Sequence, residues 1–343
     1  MRQFMNTLFV LTPDTYLSLD NDNVVVNLNE KVLGRFPLHT LEQILYFGYK
    51  GASPALMGKC ARYGIGLSFF GTNGRFLAKV NGEFHGNVLL RKTQYRISDD
   101  ERASCLFARN FITGKILNSR RFIDRIRRDH ALSVDSGPME KVEHQLMVSA
   151  RQARSCENLD VLRGIEGEAA SLYFSVFNEL ILQNKAFFNF SGRIKRPPTD
   201  PINALLSFMY TVLSNDCASA LEGVGLDAYV GFLHRDRPGR KSLALDLMEE
   251  FRSIYVDRFV VSLINNRMLN SQSFELQEDG AVVLTEKTRK LILSQWQERK
   301  KEVITHPYLE EKMPWGLIPH IQALLLSRCI RGDLEEYPAF LWK

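Results

Sequence analysis

Glu166, His234, Asp246, Glu249 and Glu250 are the residues of this sequence whose types and spacing could do metal chemistry. Ala169, Ala170, Tyr173, Phe177 and Leu180 recur at i, i+3/i+4 spacing and define one apolar helix face. One turn back along that face lies Glu166, whereas Glu168 projects about 160° away at roughly 100° of rotation per residue. A carboxylate on a buried face costs several kcal/mol unless it is paired, protonated or bound to metal. The plainer reading is a structural ion pair, with Arg163 as a partner in reach.

The apolar, glycine-punctuated stretch Gly231-Phe232-Leu233-His234 ends in a histidine and runs into the basic loop Arg235 to Lys241. A lone histidine at such a junction is more often structural than catalytic. Ser242 follows as the expected N-cap of a helix that carries Asp246, Glu249 and Glu250 at i, i+3 and i+4. Leu245, Leu247, Met248 and Phe251 crowd among these acids, which argues against full exposure of all three. One imidazole and two carboxylates suit a hard divalent ion, Mg²⁺ or Mn²⁺, better than zinc. A gap of 68 residues separates Glu166 from His234, and spacing alone does not close it.

Basic clusters supply a second signal. Arg120, Arg121, Arg125, Arg127 and Arg128 fall within nine residues, with apolar positions between them. Arg193, Lys195 and Arg196 form another group, and Arg235, Arg237, Arg240 and Lys241 follow His234. Each alone reads as a solvated face. Three such patches beside a candidate metal site suit a phosphate-bearing polymer.

The elements that must position these residues divide into two textures. Thr7 to Leu11, Tyr16 to Leu19 and Val24 to Leu28 are short β-branched and aromatic runs separated by turn residues, the spacing of hairpins in a small sheet. Val32 to Leu38 and Gln43 to Phe47 continue the pattern. Ser53-Pro54 opens a short helix that ends at Gly64. Ile65 to Phe70 and Arg75 to Val80 predict two strands joined by Gly71 to Gly74. From Val88 onwards helical spacing dominates, with stretches from Val88 to Arg128, Ser136 to Arg154, Leu159 to Asn184, Pro201 to Leu221, Leu243 to Asn265 and Thr285 to Thr305. Ala281 to Leu284 is the one later β-rich stretch.

Composition sets the outer bounds. The 343 residues exceed a typical single domain and are 45% hydrophobic and 24% charged, which excludes disorder and a disulfide mini-scaffold. A net charge of +5 permits a polyanion partner without demanding one. Five widely spaced cysteines with no CxxC pair argue against a zinc site or disulfide framework. Apolar runs such as Phe259 to Ile264 stop far short of the roughly 20 residues of a membrane span. Met1 to Asn6 has no secretory character. A cytoplasmic protein that does not enter membranes is the expectation.

At these residues the sequence resembles the CRISPR-associated adaptation integrase, the Cas-one family, and is most similar to its subtype I-C members. The matching pieces include Thr7 to Val10 with Tyr16-Leu17, Pro37 to Glu42, Gly64 to Phe69, Arg163-Gly164-Ile165-Glu166-Gly167 with Tyr173, Pro201 to Ser207 with Tyr210, Gly225-Leu226-Asp227, Gly231 to His234, and Ser242 to Glu249. Each piece is weak alone. In family order over nearly the whole chain the set is specific, with no departure at a motif position.

The resemblance implies an α+β fold of two domains. Residues 1–86 would form a small β-sandwich-like N-terminal domain that mediates homodimerisation, and residues 87–343 a larger all-α catalytic domain. The family's single Mg²⁺ or Mn²⁺ would be held by Glu166, His234 and Glu249, with Asp246 in support. The implied activity is a metal-dependent DNA endonuclease and integrase that inserts spacers into CRISPR arrays in complex with the small Cas-two protein. Double-stranded DNA, both protospacer and CRISPR repeat, is the implied partner. Arg125, Arg127, Arg128, Arg163, Arg193, Lys195, Arg235, Arg237, Arg240 and Lys241 are the candidate DNA contacts. In-line attack on a phosphodiester needs ligands, countercharge and a shaped groove rather than a protein nucleophile. A non-catalytic DNA-binding scaffold and a general DNA-repair nuclease remain as alternatives.

Overall fold

The computed structural model describes residues 6–29, 31–71, 76–80, 82, 88–194 and 196–342. The expected N-terminal segment before Asn6, the turn residues 72–74 and the candidate contact Lys195 lie outside the described residues. Along the chain come β1 (Asn6–Val10), β2 (Thr15–Asp20), β3 (Asn23–Leu28), β4 (Lys31–Pro37), β5 (Leu41–Phe47), α1 (Pro54–Tyr63), β6 (Gly66–Phe70) and β7 (Phe76–Val80). Then follow α2 (Val88–Asp99), α3 (Glu101–Asp129), α4 (Ser136–Arg154), α5 (Leu159–Ser175), α6 (Pro201–Gly223), α7 (Ser242–Met248) and α8 (Arg258–Asn265). The last elements are β8 (Phe274–Leu276), β9 (Val282–Leu284), α9 (Glu286–Lys301), β10 (Val303–Thr305), β11 (Lys312–Pro314) and α10 (Ile318–Arg331). The fold is mixed α+β, a small β region followed by a helical one. Among the described residues no helix is long and apolar enough to cross a membrane.

The chain divides into two compact units. The first comprises residues 1–85 together with 286–303 and 314–317, so α9 groups with the β region, whereas the sequence boundary at 86 assigns it to the helical part. Within this unit α9 buries Ile292, Leu293 and Trp296, and Arg299 lies 5.6 Å from the ring of buried Trp315. In this unit β2, β3 and β4 form an antiparallel meander, as the hairpin spacing predicts. The second sheet differs from that expectation. β1 and β6 both pair in parallel with β5, so the chain leaves β1, builds the meander and only then returns, and β7 closes the edge antiparallel to β6. Leu17, Val24 and Val26 of one sheet meet Ile44, Tyr46 and Leu67 of the other around Leu56 and Cys60 of α1. Each fully buried aliphatic side chain of this kind stabilises by roughly 1.5–3 kcal/mol. The ends of α1 follow its sequence signals: Ser53 Oγ accepts from Leu56 N, and Gly64 adopts φ +67°.

The second unit is built on α3, which at about 1.5 Å per residue is roughly 43 Å long. Asp100 caps it by accepting from Arg102 N and Ala103 N, and so breaks the continuous helix expected from Val88 to Arg128. α3 buries Phe111, Ile112, Ile116, Phe122 and Ile123. α4 spans the range its periodicity predicts. α5 stops at Ser175 rather than near Asn184, because Asn178 takes up the backbone of Phe190 from both sides and turns the chain into a short 3₁₀ turn. The stretch expected as one helix from Leu243 to Asn265 changes pitch midway: Glu249–Phe251 form a 3₁₀ turn and Arg252–Asp257 a π-helical segment between α7 and α8. Such changes of pitch cluster at functional sites.

Candidate metal centre

Several elements of the second unit bring the candidate residues together. α3 supplies Lys115, α5 supplies Glu166, the connection before α7 supplies His234, and the helical run after it supplies Asp246, Glu249 and Arg252. Asp246 is fully buried and organises the connection. Its carboxylate accepts from the backbone N–H groups of Phe232 (2.6 Å), Leu233 (3.0 Å) and His234 (3.0 Å), and its Oδ1 lies 2.6 Å from His234 Nδ1. Gly231 makes this approach possible, because a Cβ there would stand 2.8 Å from Ser242 and 2.9 Å from Asp246 Oδ2. Ser242 is not the N-cap expected for α7. It is the first helical residue, and its hydroxyl donates to Arg235 O instead.

With Nδ1 engaged by Asp246, the free nitrogen of His234 is Nε2, which lies 4.0 Å from Glu249 Oε1. Glu249 is 3% exposed, and Arg252 Nη2 sits 3.0 Å from its Oε1. Lys115 Nζ lies 2.8 Å from Glu249 Oε2 and also pairs with Glu166 Oε1, tying the two carboxylates together. Arg163 is therefore not the partner of Glu166. It donates through Nε and Nη2 to Leu233 O, and through Nη1 to Asp160. Leu233 is thus held at its N–H by Asp246 and at its carbonyl by Arg163. Glu168 is exposed while Glu166 is partly buried, as the helical rotation predicts.

Burial alone would raise the Glu249 carboxyl, but Arg252, Lys115 and His234 outweigh it and hold its pKa at about 2. Among the described residues no three His, Cys, Asp or Glu side chains are gathered closely enough to hold a metal ion. The donor set still fits a hard divalent ion: two carboxylates and an imidazole whose other nitrogen is oriented by a buried carboxylate. Glu249 Oε2, apart from its ion pair with Lys115, is buried without a hydrogen-bond donor.

Beside Glu166 opens a cavity of about 450 Å³, lined among others by Lys115, Tyr173, Arg193, Tyr210, Arg252 and Asp257. Tyr173 and Tyr210 donate to Asp257 at 2.9 and 2.6 Å, and Arg193 and Arg252 lie 5.4 and 4.8 Å from the Tyr210 ring centroid. Burial pushes the Asp257 carboxyl up to about 6 against the opposing tyrosine and arginine contacts. Glu250, expected beside Asp246 and Glu249 on one face, is instead enclosed by Tyr337, Gln322 and the Phe340 N–H.

The basic candidates prove unequal. Arg127 is taken up by Glu143, Glu140 and Asp124, Arg128 pairs with Asp124, and Arg125 pairs with Asp129 and lies 5.1 Å from the Trp342 ring centroid. Arg125, Arg127 and Arg128 are therefore each paired with an acid where they stand. Arg193 is held by Asn203 and Ser207, and Lys241 donates to Asn215. Arg235 pairs with Asp160 but is 68% exposed on its side chain, Arg237 is exposed, and Arg240 is half-buried. Sequence reasoning missed Lys115, Arg252 and Asp257. Only Arg252 carried a signal, three residues after Glu249 on the same helical run.

Comparison with known proteins places these residues in context. Residues 8–298 match the family described as CRISPR associated protein Cas1. The chain is 45% identical over 343 residues, the whole of both proteins, to a CRISPR-associated endonuclease Cas1 of Chlorobaculum tepidum. Its fold matches a casposase solved with an integration product (TM-score 0.82, 21% identity, 99% of this chain and 95% of that one). It also matches a chain of a Cas6-RT-Cas1–Cas2 complex (TM-score 0.80, 21% identity, 100% of this chain and 36% of that one). A match over most of the length, with close full-length kinship, makes the chain a member of the CRISPR-associated Cas1 family.

Proposed function

We propose that this Cas1 protein is a metal-dependent DNA endonuclease and integrase of the subtype I-C kind, which inserts new spacers into the CRISPR array by phosphodiester cleavage and strand transfer. The supporting observation is the buried Asp246 carboxylate, which orients His234 so that Nε2 lies 4.0 Å from Glu249. Glu166, His234 and Glu249 would hold one Mg²⁺ or Mn²⁺. When bound, such an ion offsets charge on the phosphodiester oxygens and acidifies the attacking hydroxyl or water. The chain's own residues do the positioning. Asp246 keeps the proton of His234 on Nδ1, and Arg163 and Asp246 fix the connection that carries it. Arg252 keeps Glu249 ionised at neutral pH.

The casposase and the Cas2-containing complex of the same fold support double-stranded DNA and a small Cas2 protein as partners, and the β region supports a homodimer. The second reading, a DNA-binding scaffold whose acids merely neutralise cations, draws on the pairing of Glu249 with Lys115 and Arg252. Crystals soaked in Mn²⁺ separate the two. Anomalous density between Glu166 and His234, together with loss of strand transfer on CRISPR repeat DNA in Glu166→Gln, is the expected result. No density and an unchanged Glu166→Gln protein would leave the scaffold.

A further inference from the structure

A single ammonium stands where two carboxylates converge. Lys115 Nζ pairs with both Glu166 and Glu249, and only 12% of the Lys115 side chain is exposed. Arg252 occupies the other oxygen of Glu249. Around Lys115 itself, the carboxylates of Glu166 and Glu249 are thus matched by two cations. A divalent ion held by Glu166 and Glu249 needs oxygen lone pairs that now face the ammonium, and a doubly charged ion repels an adjacent ammonium strongly where water is scarce. The two cations make the same demand, since a lysine ammonium is a compact charge that seeks oxygen. They differ in tether: the ammonium rides a flexible four-carbon stem, and Lys115 borders the cavity beside Glu166.

We propose that Lys115 is a built-in counter-cation that competes with the divalent ion for Glu166 and Glu249. It sets the metal concentration at which the site loads, and withdraws toward the adjoining cavity when the ion enters. This rests on the metal-dependent reading of the same site. Without metal the two carboxylates are masked and matched by the two cations. Exchange of the ammonium for a doubly charged ion adds one positive charge at the two carboxylates, the direction a phosphodiester requires.

The test titrates the full chain with Mn²⁺ alone, following free Mn²⁺ by electron paramagnetic resonance, and compares the parent with Lys115→Met and Lys115→Arg. Lys115→Met is expected to bind Mn²⁺ at least about tenfold more tightly, because the competing charge is gone. Lys115→Arg, which keeps the charge, is expected to stay near the parent. Thermal denaturation gives a second readout: metal-free Lys115→Met melts below the parent, and Mn²⁺ raises its Tm more than the parent's. Lys115→Met binding Mn²⁺ no more tightly than the parent overturns the proposal while leaving the metal site standing. If neither parent nor variant binds Mn²⁺ at millimolar concentration, the metal-dependent reading fails and takes the proposal with it.

Discussion

Asp246 grips His234 twice, accepting its backbone N–H at 3.0 Å and meeting its ring Nδ1 at 2.6 Å with the same oxygen. Asp246→Asn would put an amide where backbone donors already crowd. Loss of one buried charge-assisted set should cost about 2–4 kcal/mol of stability. Misorientation of the imidazole should lower metal affinity or strand transfer by about 10–100-fold. Urea denaturation and a strand-transfer assay read the two effects separately; an active, stable Asp246→Asn would show that the carboxylate does not orient the ring.

Glu166 and Glu168 provide an internal control on α5. Glu166→Ala should abolish cleavage and strand transfer while leaving folding intact. Glu168→Ala, on the exposed side, should stay within about 0.5 kcal/mol of the parent and remain active. An inactive Glu168→Ala beside an active Glu166→Ala would mean the site has been placed on the wrong face.

Arg127 and Arg128 are one residue apart but should behave differently. Arg127 answers Glu143, which is 6% exposed, so Arg127→Ala should destabilise by about 1–3 kcal/mol in urea denaturation, discounted because the arginine itself is partly solvated. Arg128 is 65% exposed on its side chain, and its loss should leave stability nearly unchanged. If Arg128 touches a DNA phosphate, its removal should flatten the salt dependence of binding by about 0.9 log unit of slope. An unchanged slope would turn this face toward solvent or protein.

Asp257 predicts a pH signature. Its carboxyl sits at about 6 in the folded chain, because of burial, against an ordinary value of 3.8. Between those values the folded state keeps a proton that the unfolded state has lost. Stability from this group therefore falls as pH rises from about 4 to 6, by up to roughly 3 kcal/mol, and is flat above. Asp257→Asn should erase that slope. Thermal denaturation across pH 4 to 8 checks it, through the Tm of the parent minus that of the variant.

The edge strand β4 carries half-exposed Val32, Leu33 and Phe36. Apolar edges of this kind invite pairing with a second copy. Leu33→Lys should shift a dimeric protein toward monomer in light scattering, whereas a parent that is already a monomer would remove the β region from the dimer interface.

Much of the fold was legible because its signals are local. Ser53, Pro54 and Gly64 bound α1, and the periodicity of Ser136 to Arg154 matches α4. The rest depends on partners far apart in the chain. β1 finds β5 only after a three-stranded meander has been inserted between them, and α5 ends where Asn178 reaches Phe190. Glu166 and His234 could be singled out because each breaks an apolar pattern. Lys115 breaks none: a lysine on an amphipathic helix looks solvated until Glu166 and Glu249, 51 and 134 residues away, close over it. The pairing of Arg127 was hidden for the complementary reason, since Glu140 and Glu143 belong to the next helix.

Gly231 leaves no room for a methyl group between Ser242 and the Asp246 carboxylate. Positions 231 and 246 are consequently coupled as mutational neighbours. Any side chain at 231 must displace the acid that orients His234, and a shorter residue at 246 alone leaves three backbone donors unanswered. A library that varies either position singly should return almost no active clones. Shortening 246 would not rescue a side chain at 231, because Ser242 stands nearer still and the three backbone donors would remain unanswered, so both positions are closed together.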